Sequence, residues 1–305
     1  MTDAFVELRP LLFSIAYRIT GTRADAEDAI QETYVRWLAA DRDSIQSPKA
    51  FLTTVISRVC LDVLKSAHRR REVYVGSWLP EPMVGPNTEP LELAESLSFA
   101  FLHLLESLTP AERVAFLMHD VFDASYGEVA EVLDTSSANA RQLASRAREH
   151  LRARRPRARV KREKHQQLLW AFVQACAVGD ASALFGLLKQ DAVLYSDGGG
   201  KVQAAINPIY GADRIVRFIL GLRKKGIGNI RGFAVEVNGT PGAALTRDSA
   251  PYMIHAIDVE DDRIRAVYYV MNPEKIPEHA FRLAEDQPAQ AWPDDFAAQP
   301  ATDVG

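Results

Sequence analysis

Between Ser125 and Leu151 the chain reads SYGEVAEVLDTSSANARQLASRAREHL. Short polar side chains alternate there with arginines, the residue types that touch base edges and phosphates. Ser137, Asn139, Arg141, Gln142, Ser145, Arg146 and Arg148 fall on the outward side of a helix, and Ala140, Ala144, Ala147 and Leu151 on its packing side. A helix whose start is small and polar and whose body is basic suits the major groove. A second set is acidic: Asp28, Gln31 and Glu32 give a negative, hydrogen-bonding patch that suits a basic protein partner. A third is a loop, Asp197-Gly198-Gly199-Gly200-Lys201, whose glycines permit a tight turn with positive φ on which another chain can sit closely. Asp197 and His255 are the residue types of an acid–base pair. No spacing fixes a carboxylate beside the histidine, so a packed core histidine is the preferred reading.

The elements that position these residues follow from periodicity and caps. Residues 5–71 read as three helices. Phe5, Leu8, Leu12, Ile15, Ala16 and Ile19 stripe the first. The second runs through ADAEDAIQETYVRWLAA, with Asp25 or a neighbour as its cap and Ala26, Ala29, Ile30, Thr33, Val35, Trp37 and Leu38 as its buried side. A loop from Asp41 to Pro48 precedes the third, which is apolar through Phe51, Leu52, Val55, Ile56, Val59 and Leu64 and then turns basic. Thr109-Pro110-Ala111-Glu112 predicts a capped helix start ahead of the two-helix unit. Residues 72–98 form an acidic, proline-rich linker with an unusually apolar Trp78-Leu79-Pro80, which predicts a segment that docks on something.

Composition bounds the rest. The 305 residues carry a formal net charge of −4, which looks wrong for a nucleic-acid binder until charge is read locally. Lys65–Arg71 and 141–164 are strongly basic, whereas acids gather at 25–32, at 81–95 and in the tail. Two cysteines, Cys60 and Cys176, give neither a disulfide framework nor metal-ligand spacing, and no cofactor is called for. No apolar run approaches the roughly 18 residues of a membrane span, and the first residues carry acids where a secretion signal needs lysines. The expectation is a cytoplasmic chain away from membranes.

From about Gln166 a compact domain begins: helices at Leu168–Ala177, 180–189 and about Ala212–Leu222, then strands. Met253, His255, Ile257 and Val259 alternate, as do Ile264, Ala266, Tyr268 and Val270, the pattern of antiparallel strands joined through Glu260-Asp261-Asp262-Arg263. Helices first and a meander after predict an α+β cone. The predicted organisation is multidomain: an all-α bundle (1–71), the linker (72–98), an all-α helix-turn-helix domain (99–155), a basic connector (156–165), the α+β domain (166–284) and a disordered tail (285–305).

DAEDAIQETYVRW followed by SPKAFLTTVISRVCLDVLKSAHRRRE resembles region 2 of sigma-70 type transcription initiation factors, and LTPAERVAFLMHDVFDASYGEVAEVLDTSSANARQLASRAREHLR resembles region 4. The short intervening segment is similar to that of the extracytoplasmic-function group. WLPEP (Trp78–Pro82), DGGGK (Asp197–Lys201) and NPEK (Asn272, Pro273, Glu274, Lys275) together resemble the subgroup with a fused SnoaL-like, nuclear-transport-factor-two-like extension, in which Asp is usual where Glu274 stands. The resemblance implies core RNA polymerase and promoter DNA as partners. It assigns Asp28, Gln31 and Glu32 to the polymerase. Asp41, Asp43, Ser44 and Gln46 would hold a flipped base of the −10 element, and Arg58, Lys65, His68, Arg69, Arg70 and Arg71 would guide its strand. Ser137, Asn139, Arg141, Gln142, Ser145 and Arg146 would read the −35 element.

By the same resemblance, Trp78, Leu79, Pro80, the Asp197–Lys201 loop, Asn272, Pro273 and Lys275 carry regulation in cis, without an obligatory separate anti-sigma protein and without catalysis. A small ligand in the cone stays open. The alternative is a helix-turn-helix regulator whose cone senses or converts a small molecule.

Overall fold

A computed structural model of the chain describes residues 4–71, 74–85, 97–152, 160–225 and 230–281. These form two units. The first combines residues 1–73, 90–97 and 101–155, and the second combines residues 74–89, 98–100 and 156–305. The predicted linker therefore divides, and its Tyr74–Glu89 part belongs with the C-terminal sheet.

The first unit is all helix. α1 (Ala4–Thr20), α2 (Arg23–Ala39) and α3 (Pro48–Arg71) pack around Leu12, Ile15, Ile30, Trp37, Leu52 and Ile56. The cap of α2 is Thr22, whose hydroxyl oxygen accepts from the Asp25 N–H at 3.2 Å. Pro48 starts α3 at the one place where a missing N–H costs nothing. α4 (Phe99–Leu105) leads to α5 (Pro110–Phe116), opened by the predicted capping box between Thr109 and Glu112. A π-helical turn, Leu117–Val121, connects to α6 (Tyr126–Leu133), which has its own capping box between Ser125 and Glu128. Asp134, left-handed at φ 50°, turns the chain into α7 (Ser137–Arg152). Ala140, Ala144, Ala147 and Leu151 are all buried.

The second unit opens with α8 (Arg162–Val178) and α9 (Ala181–Leu187), followed by β1 (Leu188–Asp197), β2 (Ile209–Tyr210) and α10 (Ala212–Lys224). The meander β3 (Ile230–Val237), β4 (Thr240–Arg247), β5 (Ala250–Glu260) and β6 (Arg263–Val270) completes a six-stranded sheet of order β2-β1-β6-β5-β4-β3. Each hairpin of the meander turns on two left-handed residues, Asn238-Gly239, Asp248-Ser249 and Asp261-Asp262. Such turns match the twist of the strands they join. β1 pairs parallel with β6, a crossover that the alternation of single strands does not reveal.

Both sheet faces are apolar. Leu194, Ile257, Val259, Val267 and Tyr269 meet α8, α9 and α10 through Phe172, Leu184 and Ile215. The opposite face, with Val237, Ile254, Ala256, Tyr268 and Val270, is covered by Leu79, Val84, Phe99, Ala280 and Phe281. The apolar linker residues are the second layer of that core, which removes their surface from water.

Candidate functional site

Asp197 ends β1 and is fully buried. Its carboxylate accepts four donors. Tyr74 Oη and the Gly199 N–H reach Oδ1 at 2.6 and 3.0 Å, while the Leu79 N–H and Lys275 Nζ reach Oδ2 at 2.9 and 2.7 Å. Lys275 also donates to the Leu79 carbonyl at 2.6 Å. Its ammonium lies 4.0 Å from the Trp78 ring centroid and 5.2 Å from that of Tyr74. One buried ion pair thus grips both polar groups of the Leu79 peptide and is walled by two aromatic faces.

The loops around it are shaped for this contact. Asn272 donates from Nδ2 to Tyr74 Oη at 3.0 Å and accepts the Glu274 N–H on Oδ1 at 3.0 Å. Gly199 sits at φ 62°, and a Cβ there would fall 2.5 Å from Asn272 Cγ. Gly200, at φ 70°, faces Val75. Lys201 pairs with Glu274. Burial first, and then the bond to Asp197, push the Tyr74 phenol well above its ordinary range. A second anchor lies further along the linker. Met83 and Asn238 exchange hydrogen bonds of 3.1 and 2.8 Å, and Val84 bridges antiparallel to Val237, so the linker pairs with the edge strand β3.

Trp78, Leu79, Asp197, the glycine loop, Asn272 and Lys275 thus come together. Tyr74 was not legible in the sequence. It lies outside WLPEP, and only the fold brings it to Asp197. Asp197 and His255 are not brought together. Asp197 is level with Val270 of β6 and His255 with Tyr269, so the two side chains leave opposite faces of the sheet. His255 packs between Phe172 and Tyr269 at 5.6 and 5.0 Å, and burial pulls its pKa down to about 3. It is a core histidine.

Asp28, Gln31 and Glu32 are exposed on α2. Val35 and Leu38, expected inside, are 59% and 52% exposed and share that arc, which corrects the predicted buried side and adds an apolar component to the patch. Asp41, Asp43, Ser44 and Gln46 are exposed in a loop holding one short 3₁₀ turn, with Arg42 over Trp37 at 5.0 Å. Arg58 and Lys65 are exposed on α3. The side chains of His68, Arg69, Arg70 and Arg71 lie outside the described residues, as do 86–96, 153–159 and the tail.

On α7, Ser137, Arg141, Gln142, Ser145 and Arg146 are exposed, and Asn139 donates to Thr135 Oγ1 at 2.9 Å within the turn. Arg148, expected to look outward, is half-buried. It donates to Asp120 at 2.6 Å and to Tyr126 Oη at 2.8 Å, and so braces α7.

Residues 4–70 match the family model for sigma-70 region 2, and residues 98–151 match that for sigma-70 region 4. Over 301 residues, covering 93% of this chain and 96% of the relative, the sequence is 42% identical to the ECF RNA polymerase sigma factor SigJ of Mycobacterium tuberculosis. The chain belongs to the extracytoplasmic-function sigma factors. This sigma factor is also 30% identical to the probable ECF RNA polymerase sigma factor SigI of the same species, over 87% of this chain and 91% of the relative. The crystal structure of M. tuberculosis SigJ superposes with a TM-score of 0.72 at 39% identity, covering 90% of this chain and 98% of that one. The fold is thus two helical sigma regions followed by an α+β sheet domain.

Among the described residues no helix is long and apolar enough to cross a membrane, and no group of three or more His, Cys, Asp or Glu could hold a metal ion.

Proposed function

We propose that this sigma factor directs core RNA polymerase to promoters and that its sheet domain sets sigma activity by holding the linker between regions 2 and 4. The observation that carries the reading is the Asp197–Lys275 pair closed on both polar groups of the Leu79 peptide. A surface contact of this kind would be weak, but this one is buried, and removing one partner of a buried pair costs about 3–5 kcal/mol.

The exposed α2 patch, acidic with Val35 and Leu38 beside it, suits a basic, partly apolar polymerase surface. The Asp41–Gln46 loop and α3 suit a single strand, and the outward face of α7 suits duplex DNA. The linker is continuous with α3 on one side and reaches α4 on the other, so gripping it limits the separation the two DNA-reading modules can take. Such a device regulates in cis and needs no separate anti-sigma protein. The role of the sheet domain is regulatory rather than catalytic, since Asp197 is spent on the linker.

Run-off transcription with core polymerase, on a promoter from the chain's own upstream region, tests the reading. Initiation by the full chain, changed by ending the chain near Arg162, is the expected result. Absence of core binding and of initiation by every form would return the chain to a free-standing DNA binder.

A further inference from the structure

Arg58 has an occupant. Its Nη2 donates to the Glu131 main-chain carbonyl at 2.7 Å and lies 3.3 Å from Glu131 Oε1. Glu131 stands in the last turn of α6, the first helix of the helix-turn-helix. A carbonyl at a helix C-terminus together with a carboxylate offers the partial and full negative charges that a phosphate offers. Arg58 shares its stripe with Asp62 and Lys65, at helical spacing i, i+4 and i+7. Region 4 therefore meets the face of α3 that carries Arg58 and Lys65.

The contact has a buried counterpart. Arg113, 2% exposed, donates from Nη1 to the Ile19 carbonyl of α1 at 2.9 Å. The same guanidinium serves Leu105 O at 3.1 Å and Glu106 at 2.5 Å within region 4. Arg18 of α1 lies 5.7 Å from the Phe122 ring. If the modules part, Arg113 keeps two of its three partners, so the seam can open without leaving an unpaired buried cation.

We propose that Glu131 acts as a phosphate mimic that latches region 4 onto region 2, so that promoter DNA must displace it from Arg58. The latch rests on the reading of Arg58 as a phosphate-contacting residue. It acts within the helical unit and does not involve the linker clamp.

Two readouts on the full-length chain without polymerase test it. One is anisotropy of a fluorescein-labelled single strand bearing the promoter's −10 region. The other is energy transfer between dyes introduced by Lys49→Cys in region 2 and His150→Cys in region 4. Cys60 is buried and Cys176 half-buried, so both native cysteines are replaced by Ala in this background and the dyes react only at the introduced thiols. Glu131→Gln removes the carboxylate without adding a cation, and Asp134→Asn, three residues further along, controls for charge alone.

Glu131→Gln should lower transfer and bind the strand about two- to five-fold more tightly, as expected for loss of an exposed ion pair. Asp134→Asn should change neither. Equal changes in the two variants, or unchanged transfer in Glu131→Gln, would overturn the latch. Lower transfer with unchanged strand affinity would overturn the displacement by DNA. The transfer arm uses no DNA and no polymerase, so its failure is distinct from failure of the transcription assay.

Discussion

The Lys275 ammonium lies 4.0 Å from the centroid of the Trp78 ring and donates to the carbonyl of the next residue, Leu79. A residue after the last strand thus reads the backbone of a segment that precedes the whole sheet domain. Asp197, between them in sequence, neutralises the lysine and takes the Leu79 N–H. This closed arrangement explains why the linker is ordered here even though its composition favours an extended, solvated chain.

Lys275→Ala should release the linker. It leaves Asp197 buried and short of its ionic partner, a loss of about 3 kcal/mol or more. Hydrogen exchange of the Leu79 amide reads this directly, and should accelerate by about two orders of magnitude. An amide still protected to the wild-type level would show that Lys275 does not hold it.

Trp78→Ala removes the aromatic wall against the Lys275 ammonium. A cation–π contact of this exposure is worth about 0.5–2 kcal/mol. Exchange at Leu79 and in the 198–201 loop should rise by about 2- to 30-fold, less than for Lys275→Ala. Unchanged exchange of the loop would remove Trp78 from the clamp.

Gly199→Ala tests the shape of the loop. The position combines φ 62° with a Cβ site 2.5 Å from Asn272 Cγ, and Asn272 is itself held by Tyr74 and Glu274. The side chain cannot give way without losing those bonds, so the variant should cost about 1–3 kcal/mol. Gly186→Ala, in α9 with open space around it, should by comparison be neutral or stabilising in thermal melts.

Stability of the sheet domain should fall on acidification. Burial lowers the His255 pKa from 6.5 to about 3 and the His165 pKa to about 4, the latter with a smaller push from Arg162. The unfolded chain therefore binds more protons than the folded one between about pH 3 and pH 6.5, so stability is complete above pH 6.5 and declines below it. Each histidine contributes at most about 1.4 kcal/mol per pH unit in that window. Exchange of β5 and β6 amides at pH 5, corrected for intrinsic rates and compared with pH 7, should show the decline. His255→Phe should flatten it, and an unaltered slope in that variant would place the proton uptake elsewhere.

Local physics made much of this readable in the sequence. The alanine stripe of α7, the Thr109–Glu112 capping box and the hairpin at Asp261-Asp262 follow from spacing and residue type over a few positions. Trp78-Leu79-Pro80 and the glycine loop stood out as apolar or conformationally special residues in places where a solvated loop needs neither, whereas NPEK stood out only by family resemblance. What escaped depends on contacts between distant segments. Tyr74 has no local pattern, and its partner Asp197 is supplied by the fold. Val35 and Leu38 look like core residues, yet they lie on the arc of α2 opposite Ala29, Thr33 and Trp37. Arg148 resembles its exposed neighbours until Asp120 arrives from the preceding π-helical turn. The parallel pairing of β1 with β6 and the linker's strand-like pairing with β3 are likewise invisible to periodicity within one segment.

In the proposed function, the grip on Leu79 sets sigma activity. The most direct measurement is run-off transcription by core polymerase with the full-length chain and with Lys275→Ala, at matched concentrations that saturate core binding. Both chains should bind core, and promoter-specific initiation by Lys275→Ala should differ several-fold from wild type, in step with faster exchange at Leu79. Equal initiation by the two chains, with the Leu79 amide released in the variant, would contradict it.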